Sequence, residues 1–532
     1  MSRYVYAFEL RGIQGYLFNT GRLKDMIQAS ELIDCVCGRP LDEALRAVKA
    51  DPAEPQPRRA GGAAYLALDS KAQSQQLRDL WNMVIRQLLP GIELVDVIAE
   101  GNSVSDAIKN ALAQLQAARN QPAPQLPPSS PLTSLAPRTG QPAVFSDRGE
   151  SLDLSTVTRR QAQRTDAGLM SRFGDESLQW PNNFEADAHD SRRFPLNADN
   201  FVGVLHLDGN GIGQLLRKLN EATSTFDDQQ YIAAYQGFSQ GLEDTTCRAA
   251  RSATEEVLVP AQTERGVLPA RPLVLGGDDL SILVRADLAV PFAMAFARHF
   301  EALSVEFIQA LKLQLGEIDL PEKLTASGGL AFVKPGFPFS QAFTLAESLS
   351  EGAKTQGTDA NGKKISALAM HRIQGAVGDD ARSLFERENC ISAKLATNAG
   401  VELALKAYGL TSEAAEVLPS METLVSVVNE CMAPQFSKAR LRGLLDLLHQ
   451  DPALARTDYH RWRSLMFKEP QTRANFQRFE AGLEALVGEL DPDLPYSAKT
   501  NSSGRHQTAL TDVLMLLESQ MVSPLTTAGG EC

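Results

Sequence analysis

Two glycine pairs, far apart in this 532-residue chain, each open a strand-like run and constrain the fold more than any other feature. The first run, GGAAYLAL, begins at Gly61-Gly62, and the second, GGDDLSIL, begins at Gly276-Gly277. Glycine adopts the backbone conformations that tight hairpin turns require at little steric cost. The sequence therefore predicts two related β-hairpins. The second carries two adjacent acids at its turn, and the first has alanines in their places.

The segments on either side of each hairpin alternate between strand and helix periodicity. Around the first hairpin, the pattern predicts strands at 4–10 and 92–98 and helices at 21–36, 72–89 and 103–119. Around the second, it predicts strands at 201–207 and 325–333 and helices at 211–252, 288–315 and 340–355. Strand, helix, hairpin, helix, strand is the order of a ferredoxin-like βαββαβ unit. We therefore expect an α+β fold that contains two such units.

Composition divides the chain into four predicted domains. Residues 1–120 form the unit with GGAA, and residues 201–375 form the unit with GGDD. Between them, residues 121–200 are rich in proline and then polar without clear periodicity, which indicates an irregular linker or insert. We expect the arginines of this insert to lie in solvent, with a loop that grips a ligand phosphate as the alternative. Residues 376–532 have helical spacing and form an α-helical C-terminal domain.

Charge and cysteine content exclude several classes of protein. The net charge is −13, which argues against a protein that binds polyanions over its whole surface. Cys35 and Cys37 lie close together, but no second pair completes a zinc site, so we expect no zinc. The sequence has neither a signal-peptide core at its start nor a continuous apolar run of membrane-spanning length. We therefore expect a cytoplasmic protein without membrane contact.

Three carboxylates are the candidate metal ligands. Asp208 ends an apolar strand, and Asp278 and Asp279 lie at the second hairpin. In the strand order 4-1-3-2, the first strand lies beside the hairpin, so the strand end and the turn meet. Hard oxygen ligands of this kind suit Mg²⁺ or Mn²⁺. Two such ions can activate a sugar hydroxyl and neutralise a leaving pyrophosphate, so the sequence predicts metal-dependent nucleotidyl transfer.

Residues around these acids are candidates for binding the nucleotide. Gly209, Asn210 and Gly211 follow Asp208 and leave backbone N–H groups free to approach a phosphate at the start of the next helix. Lys354, near a helix end, can hold the outer charge of a triphosphate, and a solvated lysine is the alternative; Lys334 is a weaker candidate. The order of the motifs, with a related copy upstream, favours a metal site over a turn acid at Asp208 and a plain turn at GGDD.

A histidine–aspartate pair, His189-Asp190, has the form of an HD phosphohydrolase core. The other histidines do not have the spacing that such a site needs. We therefore interpret the pair as a chance dipeptide in a loop.

These residues resemble the large subunit of type III CRISPR effector complexes, the Csm/Cmr large-subunit family of palm-domain cyclases. The likeness covers roughly residues 1–375. The segments that carry it are GIQGYLF from Gly12 with the following LKD and AS, Gly61-Gly62, LDGN from Leu207, GGDD from Gly276, and SGGLA from Ser327 with Lys334-Pro335 and Ala353-Lys354.

The resemblance implies that the second palm joins ATP into cyclic oligoadenylates, with Asp208, Asp278 and Asp279 as catalytic metal ligands. The residues that it implies beside the nucleotides are Gly276, Gly277, Ser327 and Lys354 in the second palm and Gly61 and Gly62 in the first, inactive palm. It also implies partner subunits of a CRISPR effector complex that carry guide RNA; self-association is the alternative. The family's HD nuclease and its zinc-knuckle cysteines are not matched, which indicates a divergent or stand-alone member.

Three functions stay open on the sequence. The first is a synthase of cyclic oligoadenylate messengers from ATP in antiviral defence. The second is a diguanylate-cyclase-like enzyme that uses GTP, since GGDD differs little from GGDEF. The third is a scaffold subunit that binds guide and target RNA and keeps its palms mainly for architecture.

Overall fold

The computed structural model describes residues 3–121, 132–162, 168–184, 192–316, 318–359, 361–375, 380–391, 399–433 and 436–519. The α+β fold is confirmed: two antiparallel or mixed sheets with helices on their faces are followed by a mainly helical region.

The first unit is a four-stranded sheet in the order β2-β3-β1-β4. Its elements are β1 (Arg3–Arg11), α1 (Ile13–Phe18), α2 (Leu23–Cys35), α3 (Arg39–Ala47), β2 (Arg58–Ala60), β3 (Ala63–Leu68), α4 (Lys71–Leu88), β4 (Glu93–Gly101) and α5 (Val104–Arg119). The first strand lies between the hairpin and the last strand, as the ferredoxin-like order requires. Gly61 and Gly62 form the turn with φ of 62° and 76°, the left-handed region that glycine enters freely.

The connecting segment is packed onto this first unit. It contains β5 (Ala143–Asp147), β6 (Glu150–Asp153) and α6 (Leu154–Gln161). The buried guanidinium of Arg159 lies 3.9 Å from the ring centroid of Tyr16 and donates to the Tyr16 carbonyl oxygen at 2.6 Å. Arg160 forms a two-point ion pair with the buried Asp25. The expectation of solvated arginines is wrong for these two, because Arg159 is buried against Tyr16 and Arg160 is paired with Asp25. Arg164 lies outside the described residues.

The second unit is a larger sheet. Its elements are β7 (Val202–Gly209), α7 (Ile212–Ala222), α8 (Asp228–Ala253), β8 (Ala270–Gly276), β9 (Asp279–Arg285), α9 (Ala286–Leu315), β10 (Ala326–Val333), α10 (Phe339–Gln356) and β11 (Ala367–Arg372). Strands β8-β9-β7-β10 repeat the order of the first sheet, and β11 adds a parallel strand beyond β10. The two hairpins therefore occupy equivalent places in two sheets of the same topology.

Helix α9 is long and apolar enough to cross a membrane by length and composition alone. Most of its side chains are buried against the sheet and against α8, and its first turn holds Asp287 in an ion pair with Arg285. It is therefore a helix of the protein core.

The C-terminal region is mainly helical, with short strands that the sequence pattern did not predict. Its elements are α11 (Ala381–Asn389), β12 (Cys390–Ile391), β13 (Gly400–Glu402), β14 (Tyr408–Gly409), α12 (Met421–Cys431), α13 (Lys438–Gln450), α14 (Pro452–Met466), α15 (Pro470–Val487), β15 (Arg505–Gln507) and α16 (Leu510–Glu518). Strands β12-β13-β15 form a small sheet, and β14 pairs with β11 at the edge of the large one. The predicted domain boundaries stay a prediction; the large sheet draws this last strand from beyond residue 376.

Helix α10 lies directly on β10, and a glycine makes this possible. A Cβ added at Gly329 would lie 1.9 Å from the carbonyl oxygen of Ala346 and 2.7 Å from the Cβ of Leu349. A side chain at this position would therefore force the backbone of α10 away from β10. Because the end of α10 carries Lys354, this close packing also decides where that lysine lies.

We expect Gly329→Ala to lower the free energy of unfolding by about 1–3 kcal/mol, because an extra methyl group must push α10 off the strand. Urea unfolding followed by circular dichroism measures this. Gly352→Ala is the matched control, since Gly352 is exposed on the same helix and an added Cβ meets no atom within 4 Å. The free energy of unfolding of the control should equal that of wild type or exceed it by up to about 1 kcal/mol. Equal midpoints for the two variants would show that α10 does not rest on Gly329.

Candidate metal and nucleotide site

The strand pairing of the second unit brings three carboxylates together. Asp208, the next-to-last residue of β7, stands opposite Asp279, the first residue of β9, so both side chains lie on one face of the sheet. Asp278 lies in the turn between β8 and β9. Each residue offers an oxygen, and these three atoms lie within 4.8 Å of one another.

Gly209 allows the turn to approach the end of β7. A Cβ at this position would lie 2.8 Å from the Cβ of Asp278. The Gly209 N–H donates to the carbonyl oxygen of Asp278 at 3.2 Å, which fixes the turn against the strand. The carboxylates are thus held by backbone pairing on both sides and do not depend on flexible side chains for their positions.

The electrostatics of the site favour a cation. Burial and the neighbouring Asp279 raise the pKa of Asp278 to about 7. Burial also raises the pKa of Asp279, and the nearby His206 opposes this shift. Both shifts have the same cause, which is that negative charge here is poorly solvated and has too little positive charge beside it.

Lys354 reaches this site from the last turn of α10. Its ammonium group forms an ion pair with the Asp208 carboxylate. Burial, with the positive charge of Lys364 adding to it, lowers the pKa of Lys354 to about 8. The lysine is therefore a partly buried cation beside the acids, which excludes the alternative of a solvated helix-end lysine.

Asn210 and Ser327 are buried next to Asp208: Asn210 follows it by two residues, and Ser327 is opposite it on β10. The Asn210 side-chain amide donates to Thr325 Oγ1 and to Ser327 Oγ at 3.0 Å each, and to the Ile365 carbonyl oxygen at 3.1 Å. Their side chains tie the loop after β7 to β10, and direct contact with a nucleotide stays a prediction for both. Gly211, with φ of 79°, precedes the first turn of α7 and directs that helix N-terminus to the loop.

The first hairpin has the same strand pairing as the second but lacks two of its three acids. By strand pairing, Ala63 lies where Asp279 lies in the second unit, and Glu9 lies where Asp208 lies. The turn residue Gly62 lies where Asp278 lies in the second unit. The sequence alignment of the two motifs had put Ala63 and Ala64 in the places of the acids, and the structure moves each equivalence back by one residue. Glu9 forms an ion pair with Arg119 at the end of α5, as Asp208 does with Lys354 at the end of α10.

The two hairpins touch each other. A Cβ added at Gly276 would lie 4.0 Å from the Cα of Gly61. Two further hydrogen bonds join the units nearby: Ser30 Oγ donates to the Leu273 carbonyl oxygen, and the Gln14 amide donates to Glu347 on α10. The turn that carries Asp278 therefore lies at the boundary of the two units.

Sequence reasoning missed three charged residues near the acids. Glu347 lies close enough to Asp279 for that charge to add to the effect of burial, which is the larger cause of its raised pKa. Lys364 adds positive charge beside Lys354, and Arg58 adds it beside Asp278. None of the three belongs to a motif. Only Glu347 could have been found from the sequence, because it lies seven residues before Lys354 and therefore on the same face of one helix.

One other candidate does not join the site. Lys334 follows the opposite end of β10, where its ammonium lies 3.8 Å from the ring centroid of Phe201, so its candidacy as a phosphate ligand is wrong. His189-Asp190 lies outside the described residues. The cysteine pair is split between an exposed Cys35 and a buried Cys37.

Comparison with known proteins identifies the second unit. Residues 201–362, which contain the three acids and Lys354, match the family model of the Cas10/Cmr2 second palm domain. The second unit is therefore similar to a Cas10/Cmr2 second palm domain. The resemblance to the large subunit of type III CRISPR effector complexes is thereby confirmed. No curated protein matches the chain.

Two solved structures share the fold over nearly the full length of the chain. A Csm1-Csm4 cassette in complex with cA3 matches 98% of this chain and 70% of its own, with 12% sequence identity and a TM-score of 0.50. A Csm1-Csm4 cassette in complex with pppApA matches 98% of this chain and 69% of its own, with 11% identity and a TM-score of 0.50.

The donor set of the palm fits a divalent cation. Three carboxylates supply hard oxygen ligands, and a metal such as Mg²⁺ completes its coordination with water and phosphate oxygens. The raised pKa values of Asp278 and Asp279 show that the acids lack compensating charge. Asp208, Asp278 and Asp279 are therefore the residues that would hold such an ion.

The cost of crowding these acids predicts a pH-dependent stability. The pKa of Asp278 rises from 3.8 to about 7 on folding, so the folded state loses stability relative to the unfolded state as pH rises through this interval. In metal-free buffer at pH 8, Asp278→Asn should therefore have a free energy of unfolding about 1–2 kcal/mol higher than that of wild type, with solvent screening taken into account. The gain should shrink towards pH 4. Thermal unfolding at pH 5 and pH 8 with chelator measures it, and a variant less stable at pH 8 would contradict it.

Proposed function

We propose that this protein is a metal-dependent nucleotidyltransferase that makes cyclic oligoadenylates from ATP, as the synthase of a type III CRISPR-like antiviral system. The observation that carries the proposal is the cluster of Asp208, Asp278 and Asp279, with oxygens within 4.8 Å of one another, in a Cas10/Cmr2 second palm domain. Two structures of the same fold support it, since those Csm1-Csm4 cassettes hold cA3 and pppApA.

The chain's own residues divide the work. Asp208 and Asp279 present carboxylates from paired strands, and Asp278 presents a third from the turn. A bound divalent cation would activate an attacking sugar hydroxyl and neutralise charge on the phosphates. Lys354, which lies beside Asp208, would supply positive charge for the outer phosphates of the nucleotide. The N–H groups from Gly209 to Gly211, at the start of α7, can donate to phosphate oxygens.

Partner subunits belong to the proposal as well. The solved cassettes pair Csm1 with Csm4, which supports a partner of that kind for this chain. Activity in the isolated chain and activity in a complex are therefore both worth measuring. Labelled ATP and GTP, each with Mn²⁺, distinguish an adenylate synthase from a GTP cyclase, and no product from either would favour a scaffold.

We expect Asp278→Ala with Asp279→Ala to reduce product formation from ATP at least about 100-fold, because two of three metal ligands are removed. Asp208→Asn should have nearly the same effect, since an amide does not balance the charge of the cation. Both variants should stay folded, because the turn carries little packing energy. Product analysis with Mn²⁺ and circular dichroism measure the two results.

Asp319→Asn is the control for these acid variants. Asp319 is an exposed acid of the same domain, far from the turn in sequence, and its partner is the side chain of Lys218. It should keep the wild-type rate. Full turnover in the double variant of Asp278 and Asp279 would exclude the proposed chemistry.

The first palm should not become a metal site when two acids are restored. In Gly62→Asp with Ala63→Asp, the new residues occupy the positions of Asp278 and Asp279 in the strand register. The φ of 76° at Gly62 strains an aspartate there, and Glu9 remains held by Arg119 and by the Tyr65 hydroxyl at 3.0 Å. We expect the Mn²⁺ stoichiometry, measured by titration calorimetry, to equal that of wild type. An additional stoichiometric Mn²⁺ would show that the two missing acids alone make this palm inactive. Adding Arg119→Ala to the variant then tests whether the ion pair blocks the site.

A further inference from the structure

Arg58 is a cation that the first palm holds at its edge. It begins β2, the strand that leads into the Gly61-Gly62 turn, and its side chain is exposed. Its guanidinium carbon lies 5.6 Å from the ring centroid of Tyr65, the residue opposite it on β3. A guanidinium that stacks on an aromatic ring is fixed in place while its N–H groups stay available.

The next residue shows what a structural arginine looks like on the same strand. Arg59 forms an ion pair with Asp42 and donates to the carbonyl oxygens of Cys37 and Gly38 at 2.7 and 3.0 Å. Arg58 has no carboxylate within ion-pair distance among the residues that the structure describes. Its charge is therefore not used to hold the first palm together.

The charge of Arg58 acts across the boundary of the two palms. The turn that follows β2 contacts the hairpin that carries Asp278, because the Gly61 Cα lies 4.0 Å from a Cβ placed on Gly276. The positive charge of Arg58 is close enough to act on the Asp278 carboxylate across this contact. A guanidinium next to a metal site weakens metal binding by repulsion, unless an anion lies between the two.

The geometry points to Arg58 as a nucleotide-binding residue that the first palm contributes to the site of the second, where its guanidinium binds the phosphate groups of the nucleotide. This inference rests on the proposed function. The fork of guanidinium N–H groups matches phosphate oxygens in pairs. Lys354 on α10 and Arg58 on β2 then supply positive charge from the two palms, and the triphosphate lies between them. The first palm is required even without metal ligands of its own.

Titration calorimetry with Mn²⁺ alone, and then with Mn²⁺ and a non-hydrolysable ATP analogue, tests the inference on the full chain. In Arg58→Ala, Mn²⁺ alone should bind about two- to fivefold more tightly, because a repelling charge is gone. The analogue should bind at least about tenfold more weakly, because hydrogen bonds to a charged group are lost. Arg58→Lys, which keeps the charge without the fork, should fall between the two.

Arg86→Ala is the control, since Arg86 is an exposed arginine on α4 of the same palm. It should leave both affinities at wild-type values. Opposite changes for metal and nucleotide are the result expected of Arg58, because general damage to the fold would weaken both. Analogue affinity within twofold of wild type in Arg58→Ala, or weaker binding of both ligands, would overturn the assignment of Arg58. Failure of the wild-type chain to bind the analogue would instead overturn the proposed function on which the assignment rests.

Discussion

The antiparallel pairing of β7 with β9 places Asp208 opposite Asp279, and the turn before β9 adds Asp278 beside them. Three carboxylates in so small a volume repel one another, and burial makes each charge more costly. The large second sheet, covered by α9 and α10, provides the rigidity that keeps them there. Lys354 offsets part of the charge, and the raised pKa of Asp278 shows that the rest is uncompensated. The site is therefore strained electrostatically in a way that a divalent cation relieves.

The first palm shows what the same topology becomes when this repulsion is removed. Its strand order repeats that of the second, and Glu9 with Arg119 repeats the acid and base of Asp208 with Lys354. With Gly62 and Ala63 in the places of two acids, one carboxylate and one guanidinium satisfy each other. A palm of this kind needs no metal to be stable. Arg58, a cation of this palm, lies on the edge strand that leads to the turn beside Gly276, which is where it can act on the neighbouring site.

Polar side chains of the connecting segment contact both palms. The connecting segment fixes the first palm through Arg159 on Tyr16 and through Arg160 on Asp25. Arg172 extends this network, since it forms an ion pair with Asp34 of α2 and donates to the carbonyl oxygen of Leu275 on β8. Buried ion pairs give orientation more than net stability, because desolvation offsets much of their attraction. Arg172 therefore ties α2 of the first palm to the strand that leads into the second turn.

The sequence by itself determined the two hairpins, the βαββαβ order, the α+β class and the resemblance to the CRISPR large subunit, because glycine turns and hydrophobic periodicity are local properties. It also singled out Asp208, Asp278 and Asp279, since strand order alone brings a strand end to a turn. Tertiary structure decided the one-residue offset between the hairpins, the pairing of Glu9 with Arg119, the burial of Arg159, the pairing of Arg160 with Asp25, and the positions of Arg58 and Glu347. Each of these depends on which face a residue presents and on what packs against it from a distant part of the chain. Periodicity along the sequence contains no record of such contacts, so only the packed fold could decide them.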